Sequence, residues 1–70
     1  MKVRDARRER GWSQANLAAR AGVSYKTIYR IESGGPVMPL VRKAVCEALG
    51  RDDIEIEVFD RVFYNAQKSK

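Results

Sequence analysis

The side chains best suited to carry a chemical function lie on one face of a short helix predicted at residues 24–33. At about 100° per residue, one side of this helix holds small and apolar residues: Ser24, Thr27, Ile28 and Ile31. The other side holds Tyr25, Lys26, Tyr29, Arg30 and Ser33. The first side can anchor the helix in a core, so the second faces outward. Such a face suits the major groove of DNA, which admits a helix and offers guanine acceptors to lysine or arginine. The tyrosines suit contact with a phosphate or a thymine methyl group.

Capping residues and apolar spacing predict the elements that position this face. Helices are expected at residues 2–10, 14–20, 24–33 and 39–49. Ser13 and Ser24 are natural N-caps, and a three-residue turn centred on Gly22 joins the second helix to the third. The pattern predicts an all-α fold, a compact bundle of four to five short helices.

The fourth helix supplies much of the predicted core. Pro39 fits its first turn, and its expected buried stripe consists of Leu40, Val41, Ala44, Val45, Ala48 and Leu49. Cys46 is expected to pack as a small apolar side chain. Further core positions are assigned to Trp12, Leu17, Ile28 and Ile31.

The C-terminal third of the chain is ambiguous. Ile54, Ile56 and Val58 alternate as in a strand, whereas the spacing of Val58 to Val62 and of Phe59 to Phe63 is helical. This stretch is therefore either a strand or an extra helix. We expect residues 1–50 to form the functional domain and residues 51–70 an extension, with a frayed tail from residue 65.

Composition excludes several classes of function. The net charge of +5 is concentrated in residues 1–34, which hold eight Lys or Arg against three Asp or Glu, and such asymmetry suits approach to a polyanion. With no histidine and one cysteine, the chain lacks a disulfide, zinc-ligand spacing and the commonest general base. We expect no enzyme activity, metal, cofactor or small-molecule ligand. No apolar run is long enough for a membrane span, so a cytoplasmic protein is expected.

A set of short runs at fixed spacing is the most specific signal. It consists of Gly11-Trp12-Ser13-Gln14, Leu17-Ala18, Ala21-Gly22-Val23-Ser24, Thr27-Ile28 and Ile31-Glu32-Ser33-Gly34, with Arg7 and Leu49-Gly50 fitting as well. In these residues the chain resembles the phage repressor and Cro type of helix-turn-helix, a family of bacterial and viral transcription regulators also called XRE-like. The resemblance covers residues 3 to about 50. Residues 51–70 carry none.

The resemblance implies roles for the matching positions. It places Tyr25, Lys26 and Arg30 at base-contacting positions, with Tyr29 beside them on the same face. Gln14 stands where the family grips a phosphate, helped by the amides and dipole of the helix N-terminus. Further phosphate contacts are expected from Ser13, which acts mainly as a cap, and from Thr27, Ser33 and Gly34. The loop at 35–39 has no basic side chain, so any contact that it makes with the DNA backbone must use its own backbone amides.

The resemblance also pairs Arg7 with Glu32, which we interpret as a structural, semi-buried ion pair. Breaking such a pair leaves a costly lone charge. Gly22 is likewise structural, because the turn requires a positive φ.

Together these features predict a sequence-specific DNA-binding regulator, above all a repressor acting on a short palindromic operator. One such domain contacts few base pairs, so a homodimer is expected, with its interface in the acidic and aromatic segment at 54–64. Two alternatives remain open. The same fold serves as an antitoxin or coactivator-type interaction module, and the chain could be a DNA-binding fragment of a longer regulator.

Overall fold

Four helices form the body of the computed structural model, which describes residues 1–59. They are α1 (Val3–Glu9), α2 (Gln14–Ala21), α3 (Tyr25–Glu32) and α4 (Pro39–Leu49). The predicted all-α bundle is confirmed, and the predicted helix ends agree to within a residue or two. No helix within residues 1–59 is long and apolar enough to cross a membrane.

The ends of α2 and α3 follow from local hydrogen bonding. The Ser13 hydroxyl accepts from the amide of Asn16 at 3.0 Å, and the Asn16 side chain accepts from the Ser13 amide at 3.1 Å. This reciprocal capping box satisfies two donors at the start of α2. Gly22 ends the helix with φ of +71°, a conformation that is strained for residues with a side chain. Ser24 then caps α3 by accepting from the Thr27 amide at 3.2 Å.

The core lies where α2, α3 and α4 meet. Its fully buried side chains are Leu17, Ile28, Val45 and Leu49. Cys46 is also buried and packs among them, as predicted for a small apolar side chain. Burial raises the pKa of the Cys46 thiol above its ordinary value, because the thiolate would lose its hydration.

The prediction that Leu40 belongs to the buried stripe of α4 is wrong, since 78% of this residue is exposed. The stripe is centred near Cys46 and Leu49, both of which are buried. At about 100° per residue, Leu40 projects from nearly the opposite side of the helix. The apolar pattern of α4 therefore predicts the wrong buried side for the first turn of the helix.

Trp12 lies at the edge of the core, where it is half-buried, and not in the interior as predicted. Its indole ring is shielded by two cations. The guanidinium carbons of Arg20 and Arg10 lie 4.4 and 5.2 Å from the ring centroid, within the range of cation–π attraction. Arg10 also donates to the Leu49 carbonyl at 2.7 Å, which caps the C-terminus of α4.

Residues 54–59, the C-terminal segment, are extended and pack on the helical body. Ile54 is buried in the core, and isolated parallel bridges join Lys2 to Glu55 and Val37 to Val58. The amide of Val37 donates to the Glu57 carbonyl at 3.0 Å, and the amide of Phe59 donates to the Val37 carbonyl at 3.0 Å. The strand-like alternative thus holds for this part of the ambiguous stretch. Residues 60–64 and the tail lie outside the described residues.

Packing of the C-terminal segment predicts that Ile54→Ala lowers the free energy of unfolding by about 2–5 kcal/mol, the usual cost of truncating a buried isoleucine. Val58→Ala is the matched control, because Val58 lies on the same segment but is 36% exposed. This variant should lower the free energy of unfolding by only about 0.5 kcal/mol. Urea unfolding followed by circular dichroism measures both. Equal, small effects would mean that the segment does not belong to the folded unit.

Candidate nucleic-acid interface

The outward face of α3 presents the four side chains predicted to read bases. Tyr25 is 53% and Tyr29 is 59% exposed, and Lys26 and Arg30 are exposed as well. On the opposite side, Ile28 and Ile31 are buried in the core. An open depression on the outward side is lined by Lys26, Thr27, Tyr29, Arg30, Ser33 and Gly35. The helix therefore has one anchored side and one polar side available to a ligand.

Arg30 is held against the loop that follows α3. Its Nε donates to the carbonyl oxygen of Pro36 at 2.8 Å, and its guanidinium carbon lies 5.8 Å from the ring centroid of Phe59. Pro36 carries no amide hydrogen and can only accept. These contacts leave the Nη1 and Nη2 groups of Arg30 as its donors for a ligand.

Gln14, predicted to contact phosphate, uses its side-chain nitrogen within the chain. Its Nε2 donates to Glu32 Oε1 at 3.0 Å, and the residue is half-buried. The backbone amides of Gln14 and Ala15, in the first turn of α2, have no acceptor among residues 1–59. Such amides point along the helix axis and favour an anion. The anion-binding capacity at this position therefore lies in the backbone more than in the side chain.

Arg7 and Glu32 form a bidentate ion pair between α1 and α3. Arg7 Nε donates to Glu32 Oε2 at 2.8 Å and Nη2 donates to Oε1 at 3.0 Å. Arg7 Nη1 also donates to the Trp12 carbonyl at 3.0 Å. The side chains of Arg7 and Glu32 are only 11% and 8% exposed. With Gln14, this network joins α1, α2 and α3 through one carboxylate.

The ionised state of Glu32 is favoured by its partners. Burial alone would raise the pKa of Glu32, but hydrogen bonds from Arg7 and Gln14 outweigh burial, so the pKa lies below the ordinary value of 4.5. The hydrogen bond to Glu32 likewise raises the pKa of Arg7. A lowered carboxyl pKa means that the pair stabilises the fold above pH 4.5 and that this contribution is lost as the pH falls through the lowered value.

The remaining predicted phosphate contacts occupy the ends of α2 and α3. Ser13 is exposed, with its hydroxyl engaged in the cap. The Thr27 hydroxyl is 2.9 Å from that of Ser24, and Ser33 is the exposed C-cap of α3. Gly34 donates its amide to the Ile31 carbonyl at 3.0 Å, but a Cβ added there would meet no atom within 4 Å. Gly34 therefore offers space for close approach of a ligand and no donor of its own.

Two features of the site were missed from the sequence. One is the contact of Phe59 with Arg30, because it depends on how the C-terminal segment crosses the loop after α3. The other is the exposed first turn of α4, where the Leu40 amide has no acceptor among residues 1–59. A signal for the latter was present, since Pro39 marks a helix start whose first amides are free. Within the described range, no cluster of three potential metal ligands occurs.

Burial of the Arg7–Glu32 pair predicts that Glu32→Ala lowers the free energy of unfolding by about 3–5 kcal/mol, because Arg7 is left buried without its partner. The double variant Arg7→Met/Glu32→Met should recover most of this loss, since apolar side chains of similar volume remove both charges together. Urea unfolding at neutral pH measures the three proteins.

Arg51→Ala is the matched control, because Arg51 makes a comparable bidentate pair with Asp53 at the surface. Exposed pairs contribute little, so this variant should unfold nearly as the parent does. A Glu32→Ala protein that is equally unaffected would show that the Arg7–Glu32 pair does not constrain the fold.

A comparison with family models agrees with this geometry. The helix-turn-helix model matches residues 3–56, which include all four helices and the start of the C-terminal segment. Searches of curated proteins and of solved structures gave no match. The family match covers well over half of the chain and coincides with the capped α2, the glycine turn and the anchored α3. The chain therefore belongs to the Cro/C1-type helix-turn-helix family of DNA-binding regulators.

Proposed function

We propose that this protein regulates transcription as a repressor that binds a short palindromic operator as a homodimer, with α3 reading bases in the major groove. The observation that carries the proposal is the two-sided character of α3. Ile28 and Ile31 anchor it, whereas Tyr25, Lys26, Tyr29 and Arg30 are exposed together. Direct reading in the major groove requires a rigid helix that presents donors at fixed spacing. The proposal includes no catalytic step and no cofactor.

Phosphate contacts are proposed at helix starts on either side of the reading helix. The free amides of Gln14 and Ala15 begin α2, and the free amide of Leu40 lies in the first turn of α4. Helix N-termini bind phosphate through amides and dipole without a basic side chain. This explains how the loop after α3 can contribute although residues 35–39 carry no cation. Hydroxyls of Ser13, Thr27 and Ser33 would supplement these amides.

The proposed dimer interface lies on the C-terminal side of the molecule. Ile54 is buried in its own chain and is not available to a partner. Within the described part of the segment at 54–64, the exposed apolar side chain left for the interface is Val58, since Phe59 packs beside Arg30. A homodimer is proposed because two copies double the number of bases read and a two-fold axis would match a palindromic operator.

An interaction module of the antitoxin or coactivator type would use the same fold with a protein as its main partner. No observation favours that function over DNA reading. An adaptor has no need of Lys26 and Arg30 beside two exposed tyrosines.

Selection of bound sequences from a random DNA pool tests the proposal as a whole. We expect enrichment of a palindrome whose half-site centres lie about 10–10.5 base pairs apart, since two recognition helices enter successive major grooves on one side of the duplex. Inserting about five base pairs between the half-sites should abolish tight binding, because it turns one half-site to the opposite side. Enrichment of single half-sites, or unchanged affinity after the insertion, would exclude the dimer.

Substitutions on α3 test the reading itself. Arg30→Ala and Lys26→Ala should each cost about 1–3 kcal/mol on the selected operator and relax the preference at one base position. Random DNA should be affected much less. If either cation also neutralises a phosphate, the slope of log affinity against log salt should flatten by about 0.9. Binding to the operator, its single-base variants and random DNA over a range of salt measures these effects.

Gln14→Ala provides the contrasting variant. It removes the bond that holds the start of α2 to Glu32 but keeps the first-turn amides and every charge, so it should weaken operator and random DNA by similar factors and leave base preferences and the salt slope unchanged. The reading role of α3 fails if Arg30→Ala and Lys26→Ala both lower affinity equally for every sequence.

A further inference from the structure

Arg30 makes two contacts within the protein that a base-reading residue does not require. Its Nε is bonded to the Pro36 carbonyl, and its guanidinium group lies beside the Phe59 ring. The backbone of Phe59 is held beside this loop, because its amide donates to the carbonyl of Val37, the residue after Pro36. The loop after α3 and the C-terminal segment thus meet at the Arg30 side chain.

Gly35 completes this arrangement by leaving room for the arginine. A Cβ at Gly35 would lie 2.7 Å from Cγ of Arg30, closer than real Cβ atoms approach other atoms, and 3.3 Å from both the Nε and the backbone carbonyl oxygen of Arg30. A larger residue at this position would therefore force the Arg30 side chain or the adjoining backbone to shift. The glycine is therefore required here by close approach.

We propose that Phe59 and Gly35 are positioning residues that fix the Arg30 guanidinium for one base contact, so that the C-terminal segment sets the specificity of the reading helix. This inference rests on the proposed function of α3. With Nε held by Pro36, the guanidinium has the Nη1 and Nη2 groups left to form two parallel hydrogen bonds. That geometry matches the O6 and N7 acceptors of guanine.

The physical reason for a positioning role is conformational entropy. A free arginine side chain populates many rotamers, and ordering it on binding costs free energy. Contact with an aromatic ring at an exposed site is worth enough to shift that equilibrium by about two- to fivefold. Fixing the side chain before binding reduces this cost for the matching base only, because other bases do not accept the paired donors.

The test first identifies the base position at which Arg30→Ala relaxes selectivity. It then measures the ratio of two affinities, one for the operator and one for an operator with a different base at that position. Phe59→Ala should lower this ratio about two- to fivefold and leave the ratios at other positions and the salt slope unchanged. Phe59→Trp should preserve the ratio, since indole retains the aromatic face, whereas Phe59→Leu should behave as Phe59→Ala. Gly35→Ala should relax the same position.

Val58→Ala is the matched control, because Val58 is the neighbouring residue on the same segment, is similarly exposed and has no cation–π contact with Arg30. It should leave every ratio unchanged, and any effect through the proposed dimer interface should lower affinity for all sequences by a common factor. In the Arg30→Ala background, Phe59→Ala should have no further effect on selectivity, as expected for residues that act as one unit. A dimerisation role for Phe59 would instead lower affinity for all sequences by a common factor and leave the ratio intact.

A measurement on the free protein keeps the test independent of DNA. Hydrogen exchange at Arg30 Nε should be slower in the parent than in Phe59→Ala or Gly35→Ala, because each change should loosen the arrangement in which Nε is bonded to Pro36. The positioning role is overturned if Phe59→Ala leaves the selectivity ratio unchanged while Arg30→Ala relaxes it. It is also overturned if the effect of Phe59→Ala persists without Arg30. If Arg30→Ala lowers binding equally for every sequence, Arg30 reads no base and the positioning role is overturned; if Lys26→Ala does so as well, the proposed reading role of α3 fails first.

Discussion

The bidentate pair between Arg7 and Glu32 is the interaction on which the orientation of the reading helix depends. Glu32 is the last residue of α3, and its carboxylate is held at once by Arg7 from α1 and by Gln14 from the start of α2. A chain of 70 residues buries little apolar surface with which to set the angles between helices. The planar guanidinium group bonds a carboxylate in one geometry. The network therefore fixes the angles between helices that apolar packing alone would leave adjustable.

The rest of α3 is constrained in complementary ways. Ser24 caps its first turn, and Ile28 and Ile31 fix its rotation about its own axis. Beyond its last turn, Val37 pairs with the C-terminal segment and so limits where the following loop can lie. With the helix fixed at both ends and along one side, the backbone positions from which the exposed side chains project stay in a constant arrangement. Preorganisation of this kind lowers the free-energy cost of ordering these groups when a ligand binds.

Much of this architecture could be predicted from the sequence because it depends on local rules. Ser13, Ser24 and Pro39 mark helix starts, Gly22 marks a turn that needs positive φ, and helical periodicity separates the two sides of α3. The placement of Arg7 beside Glu32 came from the family resemblance, since residues so far apart in sequence share no local pattern. Where the prediction failed, the cause was tertiary. Leu40 fits an apolar repeat, yet the helix is rotated so that Cys46 faces the core.

The surroundings of Arg30 could not be predicted for the same reason. Its bond to Pro36 depends on how the loop folds back over the end of α3, and its contact with Phe59 depends on where an ambiguous extended segment is placed. Periodicity identifies the face on which Arg30 lies. It carries no information on which side chains from elsewhere will hold the guanidinium there.

The structure also gives the Gln14 side chain a role different from the predicted phosphate contact. The first-turn amides of α2 are free for a phosphate, while the Gln14 side chain is bonded to Glu32 at the far end of α3. Phosphate contacts fix the register of a protein on DNA, and base contacts then read the sequence in that register. The bond from Gln14 to Glu32 therefore joins the start of α2 to the end of α3. A register set by phosphate contacts at the start of α2 therefore reaches Lys26 and Arg30 through a direct contact between the two helices, and base contacts read the sequence in that register.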